Sequence, residues 1–147
     1  MKAIFLTTVL SALSFSANMN ADNVKTYSNI ESGEFGTKKE YVSVESKTSK
    51  PLKKEFYHYD ADGRIQEKTI SKWSDEKGWE NAGKYEYQYN ETGKVANVIY
   101  TEWNKKDGNW SDKAYFLVHV YDENNEFLSI EQLEINTTAS NNHITLK

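Results

Sequence analysis

The chain has 147 residues, no cysteine, one proline, 14% aromatic residues and a formal net charge of -4. Without cysteine there is no disulfide framework, thiol nucleophile, thiolate metal site or lipid-modified N-terminal cysteine. A mildly acidic balance with no basic block gives no electrostatic case for binding DNA, RNA or an anionic lipid surface.

At the N-terminus, Lys2 precedes a short apolar run from Ala3 to Leu13, and Ser14-Phe15-Ser16-Ala17 offers small residues to a peptidase. This pattern predicts a signal peptide over residues 1–17, with cleavage as late as 21. The run falls short of the roughly 20 apolar residues that a membrane span requires, so no membrane span is expected after cleavage. The expected location is secreted or periplasmic. Loss of Lys2 takes the charge from -4 to -5, and the remaining length suits a single domain.

From there to residue 135, apolar and aromatic residues alternate with polar ones, and turn chemistry recurs at short intervals. The predicted strands are residues 25–30, 35–47, 52–59, 64–73, 79–89, 94–104, 109–121 and 126–135. The turns between them include Glu31-Ser-Gly33, Asp60-Ala-Asp62-Gly63, Asp75-Glu-Lys-Gly78, Asn90-Glu-Thr-Gly93, Lys106-Asp107-Gly108 and Asp122-Glu-Asn-Asn125. Gly or Asn at the end of a short loop supplies the positive φ of a tight hairpin. No connection is long enough for a parallel crossover. The expected fold is all-β: an antiparallel meander of about eight strands in a single twisted or curled sheet, over residues 25–135, followed by a polar tail at 136–147.

An internal repeat underlies the meander. Lys54-Glu-Phe-Tyr57-His-Tyr59-Asp60-Ala-Asp62-Gly63-Arg64-Ile65 matches Lys84-Tyr-Glu-Tyr87-Gln-Tyr89-Asn90-Glu-Thr92-Gly93-Lys94-Val95, and Trp73 and Gly78 recur as Trp103 and Gly108. The period extends back to Gly33, followed by Phe35, and forward at a longer spacing to Tyr121-Asp122 and Phe127. The extra residues are expected around Trp110, one in the Lys105 to Asn109 turn and one just after it. With three-residue loops, Tyr59 opposes Ile65, Tyr89 opposes Val95 and Tyr121 opposes Phe127. Strict alternation from those pairs puts the odd-numbered residues, tyrosines and tryptophans alike, on one packed face. The even face is then polar until the last unit, where Phe116, Val118, Val120, Leu128 and Ile130 form a candidate interface.

Few residues point to chemistry. His58 and His119 fall on opposite faces of the repeat and His143 lies in the tail, so no shared metal or base is expected. Asp60-Ala-Asp62-Gly63 resembles the start of a calcium loop, but Arg64-Ile65-Gln66 follow where further oxygen ligands are needed. No nucleophile elbow, phosphate loop or zinc-protease motif is present. No enzyme activity, metal or cofactor is expected; an acid pair for glycoside hydrolysis is an alternative that nothing in one dimension selects. The remaining signal is aromatic: Trp73, Trp79, Trp103 and Trp110 sit beside the far hairpin turns as candidate ligand-binding residues, since such rings stack on sugars or grip protein partners.

Tyr57-His-Tyr59-Asp60-Ala-Asp62-Gly63-Arg64-Ile65, with weaker echoes at Tyr89-Asn90 and Tyr121-Asp122, resembles the YD repeat of Rhs-type bacterial surface proteins. That resemblance implies a hairpin array. In overall layout the chain also resembles small secreted proteins of gut Bacteroidetes with no assigned activity, which implies export and a β-repeat fold. The expected function is a non-catalytic module that binds a polysaccharide or a cell-surface protein. The alternative is an assembly protein that pairs through sheet edges or the apolar C-terminal patch.

Overall fold

The computed structural model describes residues 6–8 and 23–136. The expected signal peptide and polar tail lie outside the described residues, apart from Leu6–Thr8 and Asn136. The strands are β1 (Leu6–Thr8), β2 (Val24–Gly33), β3 (Gly36–Glu45), β4 (Pro51–Tyr59), β5 (Ile65–Ser74), β6 (Gly78–Tyr89), β7 (Val95–Asn104), β8 (Asn109–Tyr121) and β9 (Phe127–Asn136). They are neighbours in chain order, in the antiparallel meander that the sequence predicts, and no helix occurs among the described residues. The eight expected strands correspond to β2 to β9; β1 is a short addition that pairs with Ile30–Ser32. The chain divides into two compact units between Ala82 and Gly83.

Three tight turns share one construction. Asp60 Oδ1 accepts the N–H groups of Asp62 and Arg64, Asn90 Oδ1 those of Thr92 and Lys94, and Asp122 Oδ1 those of Asn124 and Glu126. Each turn ends on a left-handed residue, Gly63 at φ 78°, Gly93 at 80° and Asn125 at 62°. A side chain that binds its own backbone two and four residues on holds the loop without help from packing. The expected pairs Tyr59 with Ile65, Tyr89 with Val95 and Tyr121 with Phe127 all form.

Beyond those pairs the expected facing is reversed. In all three hairpins a bulge follows at once: His58 pairs with Glu67, Gln88 with Asn97, and Val120 with Ser129. One unmatched residue per hairpin moves every later side chain to the other face. The single odd-numbered aromatic face therefore does not exist. In the first unit Tyr57 lies opposite Lys68, beside Tyr41 and Tyr59, whereas Trp73 shares the other face with Lys54, which pairs with Ser71. In the second unit Tyr85, Tyr100 and Tyr115 form one cross-strand row, while Trp103 and Trp110 pair on the opposite face with Thr101 and Ala114. Each unit thus has a tyrosine face and a tryptophan face.

The first turn departs from the period as well. Gly33 pairs with Gly36, leaving a two-residue loop of Glu34 and Phe35. Phe35, expected inside by analogy with Ile65 and Val95, sits on that loop at 86% exposure. Around Trp110 the register places two unmatched residues after the tryptophan, where one was expected: Trp103 pairs with Trp110 but Thr101 with Ala114, so Ser111, Asp112 and Lys113 stand against Glu102 alone.

Little is buried. Among the described residues the buried apolar side chains are Val44 in the first unit and Val98 and Ala114 in the second, and no large side chain is fully enclosed. Neither face is the packed side that the sequence pattern implied. Backbone pairing and cross-strand side-chain contacts carry these units, each contact contributing roughly 0.2–1 kcal/mol. Close approach is correspondingly exacting at Gly36, where φ is 128° and a Cβ would stand 2.0 Å from the Tyr59 carbonyl oxygen. Gly33 has open space around it. Gly36→Ala is expected to destabilise the fold by about 3 kcal/mol and Gly33→Ala by less than about 1 kcal/mol, as read by urea denaturation; equal effects would exclude the close approach as the cause.

Candidate functional site

The tryptophans that the sequence singles out come together in pairs. In the first unit Trp73 and Trp79 flank the turn ending at Gly78, edge to face, with ring centroids 5.4 Å apart. Lys54 Nζ stands 5.2 Å from the Trp79 ring centroid, and Trp73 Nε1 donates to Asp75, which Lys50 also binds at 2.6 Å. In the second unit Trp103 and Trp110 repeat the arrangement at 5.0 Å, with Lys84 5.4 Å from the Trp110 ring. All four rings are half-buried. The geometry is the favoured one for aromatic quadrupoles, and a cation over a ring face adds to it.

Lys54 and Lys84 escape a reading that looks for ring residues alone. They occupy the same place in the repeat, and that alignment was the available signal. Asp75 is held below the usual carboxylate range by its hydrogen bond from Lys50, aided by that from Trp73.

On the tyrosine face of the first unit, Tyr41 meets Tyr57 at 5.8 Å, and Tyr57 stacks on Tyr59 at 6.3 Å. Lys68 lies over Tyr57 and Lys39 over Tyr59. Between these rings Glu55 accepts from Lys53 and Lys68, both at 3.0 Å. Partial burial pushes the Glu55 carboxyl up, but the hydrogen bonds and charges of Lys53 and Lys68 outweigh it and leave the pKa lowered. Lys68 is the mirror case: burial pushes it down, and Glu55 and Tyr57 raise it on balance.

The tyrosine face of the second unit is a tighter row. Tyr85 and Tyr100 approach to 4.8 Å, and Tyr100 stacks on Tyr115 at 6.4 Å. Gly83 makes room for it, since a Cβ there would stand 2.7 Å from the Tyr100 ring. Burial, then Glu102, Tyr85 and Tyr115, raise the Tyr100 phenol.

The apolar C-terminal set is divided. Phe116, Val118 and Val120 lie on the tryptophan face opposite Leu133, Glu131 and Ser129. Ile130 pairs with His119 on the tyrosine face, and Leu128 is the unmatched residue of the bulge. Leu128 and Ile130 are 61% and 53% exposed, whereas Phe116, Val118 and Val120 are half-buried.

The acidic and histidine candidates have local roles. Asp60 is occupied by its turn and by Arg64 and Gln66, whose side chains donate to Oδ2. His58 lies between Lys38 and Glu67 in the ladder; His119 packs against Phe127, one ring nitrogen 3.2 Å from the Leu117 carbonyl oxygen. His143 lies outside the described residues. Among the described residues no three His, Cys, Asp or Glu side chains are grouped to hold a metal ion.

Fold and surface together define an all-β hairpin-repeat protein with aromatic pairs on its sheet faces. The chain belongs to the family of unknown function DUF3836, whose family model matches residues 1–121. Among solved structures it is similar to a DUF3836 family protein from Parabacteroides distasonis, at 22% identity over 57% of this chain and 93% of that one, with a TM-score of 0.31. No curated protein matches the chain.

Two expected outcomes test this geometry. Removing Trp103 and Trp110 singly and together should give a coupling energy of about 1 kcal/mol and abolish an exciton-coupled circular dichroism band; additive single effects would show that the rings do not interact. Glu55, with its lowered pKa, stabilises the fold above the usual carboxylate range and loses that effect as pH falls through its folded value. Glu55→Gln should therefore cost about 1 kcal/mol near neutral pH and little in strong acid, measured as urea midpoints across pH.

Proposed function

We propose that this chain is an exported, non-catalytic β-repeat module whose work is binding a macromolecule at the cell surface through a sheet face. The observation that carries this reading is the amount of aromatic and aliphatic surface left half-covered on both faces, when among the described residues the buried apolar ones are Val44, Val98 and Ala114. A sheet of that kind offers a broad surface in place of an enclosed cleft, which suits a protein or a polymer better than a small molecule.

Of the two ligand classes, a surface protein fits better than a polysaccharide. A sugar ring needs a free aromatic face, and several here are taken: Lys84 stands over Trp110, Lys54 stands over Trp79, and Tyr100 lies between Tyr85 and Tyr115. Ring clusters fixed by their neighbours are pre-organised anchors for a protein partner. Export rests on the N-terminal pattern of Lys2, Ala3 to Leu13 and Ser14 to Ala17.

A second reading, assembly of copies through the apolar strands β8 and β9, is favoured by Phe127, Leu128 and Ile130, each exposed by more than half. Three measurements separate the readings. Soluble glycans should leave tryptophan fluorescence unchanged; quenching that disappears in Trp103→Ala would establish a polysaccharide ligand instead. Light scattering should give a monomer mass; a larger mass that falls when Val118 and Val120 become Lys would establish assembly. N-terminal sequencing of the exported protein should begin between residues 17 and 22, and retention of Met1 would overturn export.

A further inference from the structure

Strand β9 ends the sheet order, and no described strand lies on its other side. Its ladder with β8 runs without interruption from Val120 and Ser129 to Lys113 and Asn136. Exposed edges of soluble proteins are ordinarily blunted by a lysine, a proline, a bulge or a short length. Phe127-Leu-Ser-Ile-Glu-Gln-Leu-Glu-Ile-Asn136 contains no lysine, arginine, proline or glycine, and its bulge is confined to the turn. It spans 10 residues. Such an edge presents a row of backbone donors and acceptors guarded by acidic side chains alone.

The charges of the strand select its occupant. Glu131 and Glu134 lie in β9 and Glu126 precedes it, while the strand has no cation of its own; only Glu134 is met from β8, by Lys113 at 3.1 Å. A second copy of β9 brings no cation to meet Glu131, and in the register that sets Glu131 opposite Glu134 like charges across the ladder are destabilising. The alternation puts Ile130 and Glu134 on one face and Glu131, Leu133 and Ile135 on the other, so both faces call for apolar side chains interrupted by a cation.

We propose that the outer edge of β9 takes up an extended segment of another protein that is apolar on both faces and carries one Lys or Arg on each, three residues apart. Main-chain hydrogen bonds to the edge supply affinity, and Glu131 and Glu134 supply the choice of partner. This goes beyond a sheet-face reading and holds whether or not the faces bind anything.

The test uses the full chain with two blocked ten-residue peptides of valine carrying two charged residues three positions apart, Lys in one (Val/Lys) and Glu in the other (Val/Glu), labelled for fluorescence anisotropy. The Val/Lys peptide should bind about tenfold more tightly than Val/Glu. Glu131→Lys, at an exposed position, should reduce that preference severalfold, and methylating alternate backbone nitrogens of the Val/Lys peptide should abolish binding. Equal binding of both peptides, or binding indifferent to N-methylation, would overturn the proposal in favour of non-specific adhesion. A dimer whose mass the peptide does not lower would overturn it in favour of self-pairing, and failure of the Val/Lys peptide to bind would overturn it outright.

Discussion

At Asp60, Asn90 and Asp122 one side-chain oxygen accepts two backbone N–H groups, and a residue in the left-handed region closes the loop three positions later. These local bonds fix where the returning strand begins, and the bulge that follows fixes which way its side chains point. Everything else in the units depends on that facing. It sends Trp73 to the side of Lys54 and away from Tyr57, and it lets Tyr100 meet Tyr85 while Trp103 meets Trp110. A register specified by turns matters most where so little burial helps to specify it.

With so little enclosed, stability is distributed over pairs: ring on ring, ammonium over ring, and carboxylate between two lysines at Glu55. None of these is large alone, and several lie on half-exposed surface where solvent weakens charge interactions. The same distribution shapes what the surface can do. Rings that hold each other in place are rigid and amphipathic, and rigid amphipathic surface binds at a low cost in conformational entropy.

The strands, their order and the three tight-turn pairs could be read from the residues because each rests on local chemistry: alternation for strands, Gly or Asn for the left-handed position, short loops for antiparallel neighbours. The facing could not. Three hairpins each carry one unmatched residue next to the pair that alternation was counted from, and nothing in the side chains of Gln66 or Ala96 marks the bulge. The tryptophan pairs were visible as individual residues near turns, but not as contacts, since contact requires the far turn and its flanking register together. Lys54 and Lys84 were visible only as repeat equivalents. At Gly33 the repeat misled, because the glycine recurs while the loop it belongs to is two residues long and directs Phe35 outward.

The segment Ser111-Asp-Lys113, standing against Glu102 alone, shows how these hairpins accommodate changes of length. It takes up two surplus residues, and because two is the period of a strand, Trp110 and Ala114 remain on the same side of the sheet. A single surplus residue at that point would exchange the two faces of β8 from there onward, carrying Phe116 to the side of the tyrosines and Tyr115 to the side of the tryptophans. Insertions and deletions in the far hairpins are therefore tolerated by parity: even changes extend the chain at the rim and leave the surface chemistry in place, and odd ones rewrite both surfaces at once.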